Sequence, residues 1–428
     1  CRPTPASSWG LYLVDVFDNM TLIREMPGYA LLEPLPLRAT PRPPVIPPRV
    51  NLQRKDAVVY LSDVYAGNGL QGVPRGTVRS LRLLSYHFAY HGVGGQVHRV
   101  GFDGPWDVRR IVGTVPVSED GSAYFRVPAN TPISLQPLDE NGQALQLMRS
   151  WLTAMPGETL SCVGCHEQQS DVPATLRTQS SHTTPSEIEP WYGPARGFSF
   201  DREVQPVLDH HCMSCHDGQK TVPDLRRQSP VRMMGDDPSG YNGTLFPPSY
   251  LALRHLIRGA TIESDMHLLS PGEFHADTNP LIRMLRKGHH GVSLDDESWD
   301  RLITWIDLNA PAHGTWHEIV GEQAVATQRE RRMAMLARYA GKDEDPERIE
   351  PTVYNPPPVT TAMRPCWSAI GQPFPAFVSR WKTSVSVDES TMPSSRNCIS
   401  GFISSSDHLS WILVCQRRSH AASSVISE

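Results

Sequence analysis

Two short runs in this chain carry residues spaced for one particular chemistry. Cys162-Val163-Gly164-Cys165-His166 and Cys212-Met213-Ser214-Cys215-His216 both read C-x-x-C-H, the pattern by which a c-type haem is attached. Two thiols three positions apart can each form a thioether to one of two neighbouring vinyl groups on a porphyrin edge. The adjacent histidine then lies under the ring and offers an imidazole nitrogen to the iron. The expected cofactors are therefore two covalently attached c-type haems, held through Cys162, Cys165 and His166 and through Cys212, Cys215 and His216. Two other chemistries use C-x-x-C. A structural zinc site would pair the two runs, but roughly 46 residues separate them, against roughly 15–20 in a zinc ribbon. A thioredoxin-like dithiol would follow a strand in a β-α-β unit, which neither run does.

The elements that must position these runs change character along the chain. Residues 11–17 and 20–23 read as two strands about an Asp18-Asn19 turn, the last piece of an all-β unit. Proline is dense from 27 to 48, the mark of an extended linker or strap. Strands are expected at 57–61, within 78–90, and at 111–117, 123–127 and 133–138. Asp120-Gly121 and Asn141-Gly142 are hairpin signals between them. The first motif thus leaves a β-rich middle domain, 51–170, on a loop. Residues 171–195 read as a linker rich in Gln, Ser, Thr and Pro. Helical periodicity then takes over in a small domain at 196–318. Val204, Val207 and Leu208 share one face of a helix that delivers the second motif. Further helices are expected around 250–257, from Pro280 to Gly288 with Asn279 or Thr278 as cap, and from Ser293 through Trp299, Leu302, Ile303 and Ile306. A polar helix at 319–345 is expected to be solvated or to lie between domains, and 346–428 to be an unassigned, disordered tail.

Second axial ligands come from outside the motifs. His289-His290 follows a helix and its glycine stop, where a histidine can swing over the second haem, so His289 and His290 join His166 and His216 as candidate iron ligands. His275, His267 and Met266 are further candidates for that haem. His87, His91 and His98, with Asp63, Tyr65, Tyr86 and Tyr90, are candidates to face the first. His210 and His211 lie too close to their own attachment site to reach its far side.

Of 428 residues, 39% are hydrophobic and 20% charged, enough for two or three cored domains. The net charge of −5 comes without a basic stripe for nucleic acid. No apolar run reaches the roughly 20 residues of a membrane span. Haem attachment to C-x-x-C-H takes place outside the cytoplasmic membrane, which implies a periplasmic or exported protein. The chain begins at Cys1 without methionine or signal peptide, as at a fragment boundary.

From Val58 to Trp316 the chain resembles the hydrazine synthase alpha-subunit family of planctomycete-type dihaem c-type proteins. Ser62-Asp63-Val64-Tyr65, Gly72-Val73-Pro74-Arg75-Gly76-Thr77-Val78 and Cys162-Val163-Gly164-Cys165-His166-Glu167 carry the likeness. So do Glu273-Phe274-His275-Ala276-Asp277-Thr278, Lys287-Gly288-His289 and Trp305-Ile306-Asp307-Leu308-Asn309-Ala310-Pro311. The resemblance implies a multidomain β + α protein: an upstream β-propeller of which the opening hairpin is the remnant, a β-rich domain with one haem, and a helical cytochrome c-like domain with another. It also implies partner subunits, a bis-histidine second haem made by His216 and His289, and a first haem as the catalytic candidate. One departure matters. Where the family places an iron-ligating tyrosine about one turn after the first motif, this chain has Ser170. His166 is therefore expected to ligate iron in the ordinary way, and hydrazine synthesis does not transfer. The expected function is a redox enzyme or its haem module, with the first haem as substrate site and the second as electron relay. A pure electron-transfer cytochrome and a secreted β-rich scaffold with structural haems are the alternatives.

Overall fold

The structure, a computed structural model, describes residues 9–358 apart from 36–38, 40, 43, 46, 96, 103–106, 169, 173–176, 220, 233–243, 262–263 and 265–267. It also describes four short strands between 399 and 414. The chain divides into two compact units, 1–366 and 367–428. In the second, β12 (Ile399–Gly401) pairs with β15 (Ile412–Val414) and β13 (Ser404–Ser405) with β14 (His408–Leu409), both antiparallel.

In the first unit β1 (Leu11–Val14) and β2 (Met20–Arg24) form the expected hairpin, with Leu13, Leu22 and Ile23 exposed. The β-rich part is two sheets. One has the order β6-β3-β8, from Ala123–Pro128, Asp56–Leu61 and Thr159–Cys162. The other has the order β7-β4-β5-β9, from Ile133–Leu138, Ser80–His87, Val108–Pro116 and Arg196–Gly197. The Asp120-Gly121 turn is tight, with Ser118 N donating to Ser122 O at 2.8 Å. It does not make a hairpin, because β5 pairs with β4 while β6 pairs with β3. The turn crosses between sheets, a choice set by burial of both flanking strands that local turn chemistry cannot show.

Strand alternation gives β4 two interiors. Leu81 and Leu83 enter a core with Val59, Phe125 and Ile133. On the opposite face Leu84 enters a second core with Val207, Leu208, Ile303 and Trp305 from the helical part. Those helices are α1 (Gln205–His211), α2 (Pro248–Arg254), α3 (Pro280–Arg286) and α4 (Asp296–Asp307), where β10 (Val231–Arg232) and β11 (Leu245–Phe246) form a short ladder between α1 and α2. A turn of π-helix, Phe200–Val204, leads into α1. The cap of α4 is Asp295, whose carboxylate accepts from Ser298 N at 3.0 Å, not Ser293 as expected.

Segments read as linker, polar helix and tail all make packed contacts. In the linker, Ser186 and Glu189 bridge to Phe125 and Thr114, so part of 171–195 is laid along the sheets. After α5 (Trp316–Val320), the polar helix α6 (Glu322–Met335) buries Val325 and sets Arg332 4.0 Å from the centre of the Tyr90 ring. Of the tail, Glu347 is buried between His87 and His317, and Tyr354 bonds Ser298 Oγ at 2.6 Å. The remaining tail expectation, apart from β12–β15, lies outside the described residues.

Arg82 joins the two cores. Its guanidinium donates to Asp307 Oδ2 at 3.0 Å, Thr304 Oγ1 at 2.9 Å and Gln136 Oε1 at 2.9 Å, with both charged side chains 1% exposed. Burial pushes the Asp307 carboxyl up to about 6 against the pull of Arg82. Arg82→Ala is expected to cost about 3–5 kcal/mol in denaturant titrations near neutral pH, because it strands a buried carboxylate. A raised folded-state pKa favours the folded state below it, and without Arg82 the Asp307 carboxyl is raised further still, so the deficit should shrink as pH falls toward about 6 and level off below it. A loss below about 1 kcal/mol would refute the role given to this pair.

Candidate functional site

The first motif begins where β8 ends. β8 runs parallel to β3 with Cys162 beside Leu61. Ser62 N and Asp63 N then donate to the carbonyls of Cys162 and Val163 at 3.0 and 3.1 Å, and Gly69 N to Cys165 O at 3.0 Å. The loop after β3 therefore shadows the motif backbone to backbone. A Cβ on Gly69 would stand 2.7 Å from Cys165 Sγ, one on Gly67 would stand 2.5 Å from Cys165 O, and one on Gly164 would collide with Ala66 O. These glycines serve close approach, and Gly67 also takes a left-handed backbone (φ 85°). The Glu167 carboxylate accepts from Val163 N and Gly164 N, and Gln146 Nε2 ties Gly69 O at 3.0 Å to Leu269 O at 2.8 Å. His166 adopts a left-handed backbone (φ 58°), and among the described residues its ring has no hydrogen-bond or ring partner.

The second motif is the continuation of α1. Cys212 N donates to Leu208 O at 2.8 Å and His216 N to Cys212 O at 2.9 Å. His216 Nδ1 lies 2.9 Å from Pro223 O. That carbonyl can only accept, so Nδ1 carries the proton and Nε2 keeps its lone pair. Facing it is His289, in a single turn that follows α3 and the left-handed Gly288 (φ 81°). The His216 and His289 rings are 17° from parallel with centroids 6.1 Å apart. This is too far for face contact. Two metal–imidazole bonds of about 2 Å plus two ring radii of about 1 Å give roughly the same separation. Burial, then the neighbouring His290 and His216, hold the His289 imidazole below its usual pKa, which favours the neutral form a ligand needs. His290 packs edge-on against His289, centroids 4.7 Å apart.

Several other candidates are otherwise engaged, while His98 Nδ1 and the Tyr90 hydroxyl are buried without a hydrogen-bond partner. His275 Nε2 bonds Asp139 Oδ2 at 2.9 Å, and His211 Nε2 bonds Ser298 Oγ at 3.1 Å and Asp295 Oδ2 at 3.2 Å. His87 has Glu347 at Nε2 and Arg332 at Nδ1, which removes it as a ligand of the first haem. The Tyr65 hydroxyl accepts from Val78 N at 2.9 Å, and Asp63 pairs with Arg75 at 2.9 Å. Met266 and His267 lie outside the described residues.

The thiols discriminate among the chemistries. Burial pushes Cys162 and Cys165 up to about 11 and Cys212 up to about 12. A redox dithiol works through a lowered pKa, the opposite condition. Cys162 and Cys165 pack against the β core and Cys212 against the helical core, which opposes one zinc site shared by both pairs. Among the described residues no group of three or more His, Cys, Asp or Glu is placed to hold a metal ion. A haem iron, with four ligands from its own ring, asks only for two protein nitrogens. Cys162, Cys165 and Cys212 are free, and Cys215 is disulfide-bonded. That bond and a thioether compete for one sulfur, so the fit at the second motif rests on its two histidines and requires Cys215 reduced.

A β-rich unit closes on one C-x-x-C-H and is followed by a helical part that carries a second. Residues 76–167 match the family described as hydrazine synthase alpha subunit middle domain. The match runs from the turn before β4 through the first motif, and the chain is hydrazine synthase alpha-like over that segment. A solved structure, hydrazine synthase from Kuenenia stuttgartiensis, is similar at 16% identity with a TM-score of 0.44. The match covers 60% of this chain and 43% of that one. No curated protein matches.

The sequence missed Pro223, Glu167 and Gln146 as supports of the motifs. Only Glu167, next to His166, carried a signal. Gly69→Ala is expected to displace Cys165 and lower covalent haem at the first motif while leaving the second unchanged, as read by peptide mass spectrometry after expression in a host with haem-attachment machinery. Equal loading of both motifs would contradict the cradle.

Proposed function

We propose that the chain is a dihaem c-type protein of the hydrazine synthase alpha-like group, acting as a redox enzyme or its haem module outside the cytoplasmic membrane. The observation that carries this reading is the facing pair His216 and His289, near parallel at 6.1 Å, with His216 Nδ1 already held by Pro223 O. Cys162, Cys165 and His166 would hold one haem, and Cys212, Cys215, His216 and His289 the other. The iron would supply one-electron transfer and, where a coordination position is open, binding of a small molecule.

The two sites differ in what the protein presents. At the second, His216 and His289 would both be available to hold the iron, which suits an electron relay. At the first, only His166 is offered among the described residues, which suits the substrate site. Ser170 stands where the family has its tyrosine, so hydrazine is not assigned as product. Partner subunits are part of the proposal. Among the described residues no helix is long and apolar enough to cross a membrane.

Mass spectrometry of the exported chain should show two haem additions, and carbon monoxide should bind the reduced first haem and not the second. His289→Ala should open the second haem to the gas, and His290→Ala should not. One haem addition, or zinc in place of iron, would sink the reading. Refusal of gas by both haems would leave an electron carrier.

A further inference from the structure

One ion pair joins the helical part to the β-rich part beside the first motif. His275 is on the loop before α3 and Asp139 on the turn after β7, 136 residues apart in sequence. His275 Nε2 lies 2.9 Å from Asp139 Oδ2, with the side chains 16% and 12% exposed. Each residue is fixed by its own surroundings. Asp139 Oδ1 accepts from Asn141 N at 2.8 Å and Gln143 N at 2.9 Å, which leaves Oδ2 for the histidine. The carbonyl of His275 accepts from Thr278 N at 2.9 Å and Thr278 Oγ1 at 2.8 Å, just ahead of α3. The same two segments are fastened again close by. Gly272 N donates to Leu145 O at 2.7 Å, and Gln146 Nε2 donates to Leu269 O at 2.8 Å and Gly69 O at 3.0 Å. Gly69 lies against Cys165, so the fastening ends at the first motif. His275, Gln146 and Leu269 line one cavity of about 50 Å³.

His275 differs from the other fastenings because it can change its charge near neutral pH. Its Nδ1 has no hydrogen-bond partner among the described residues, and the side chain reaches solvent, so a proton can arrive and leave. The charges that face the ring are Asp139, Asp277 and Asp307, with Glu273 on the same cavity wall. Asp277 pairs with Arg286 at 2.6 Å and Asp307 with Arg82 at 3.0 Å. The bond to Asp139 raises the imidazole above its usual value, against the cost of burial. A raised folded-state value gives stability that is fully present below the usual value and is lost as pH rises through the folded one. Neutral His275 still donates to Asp139, but the bond loses its charge and with it about half its strength.

We propose that the His275–Asp139 pair is a proton-sensitive clasp for the first motif, fastening the loop before α3 to residues 139–146 and, through Gln146 and Gly69, steadying Cys165. Its effect on the first haem rests on the haem reading, whereas the clasp itself does not. Two measurements on the haem-loaded full chain from about pH 6 to about 9 test it. In amide hydrogen exchange, corrected for intrinsic rates, protection of 69–73 and 269–275 should fall several-fold as His275 loses its proton. The midpoint potential of the first haem should carry a shift over the same range. His275→Gln keeps a donor for Asp139 without the charge, so it should hold both readouts at their alkaline values and leave the second haem's potential unchanged. Asp139→Asn should move the transition to lower pH, and it carries the test if His275→Gln does not fold. Exchange that does not respond to pH, or a transition that survives His275→Gln, would overturn the proposal. So would exchange that responds while the first haem does not. If the first motif carries no haem, the haem reading fails and exchange alone decides for or against the clasp.

Discussion

The rest of the structure depends on one buried charge, Arg82. It projects from the middle of β4 toward α4, where Asp307 accepts from it at 3.0 Å. Asp307 also accepts from Ala144 N at 3.0 Å, and its own carbonyl is held by Gln136 Nε2 at 2.8 Å. A cation in such surroundings is tolerated only when its partners are fixed. The pairing therefore holds the end of α4 to the sheet that also receives the 144–147 segment. Gln146 in that segment reaches Gly69, and Gly69 rests on Cys165. The helical part and the first motif are thus linked through a short run of hydrogen bonds and close contacts.

The two motifs share five residue positions and little else. At the first, β-ladder pairing and a glycine loop specify the backbone and leave the histidine ring unengaged among the described residues. At the second, the end of α1 presents His216, Pro223 sets its tautomer, and a glycine stop after α3 turns His289 to face it. Identical attachment chemistry can then serve different ends, because the protein's control of a haem lies in its axial ligands and their supports.

Much of this was legible in advance for a physical reason. Leu281 and Ile282 on α3, and Leu302, Ile303 and Ile306 on α4, follow a helical period that burial enforces, and all five are buried. The placement of His289 opposite His216 was legible because a glycine stop precedes it. The crossing of β5 and β6 into different sheets was not legible, since Asp120-Gly121 encodes a turn and not the partners of the strands it joins. Nor was the burial of Glu347, whose partners His87 and His317 are 260 and 30 residues away in sequence. Gly67, at φ 85°, is needed both for its dihedral angles and for the space it leaves, and Gly69 for the space beside Cys165, two needs that local sequence cannot separate.

The central claim is that His216 and His289 face each other as the axial pair of one haem, while the first motif offers a single histidine. Electron paramagnetic resonance of the oxidised full chain tests it most directly, because the signal of a low-spin bis-histidine haem reports the angle between its imidazole planes. Rings 17° from parallel should give a well-resolved rhombic low-spin signal from one haem, beside a high-spin signal from the other. Two low-spin haems, or a low-spin signal of the kind perpendicular rings produce, would contradict the account.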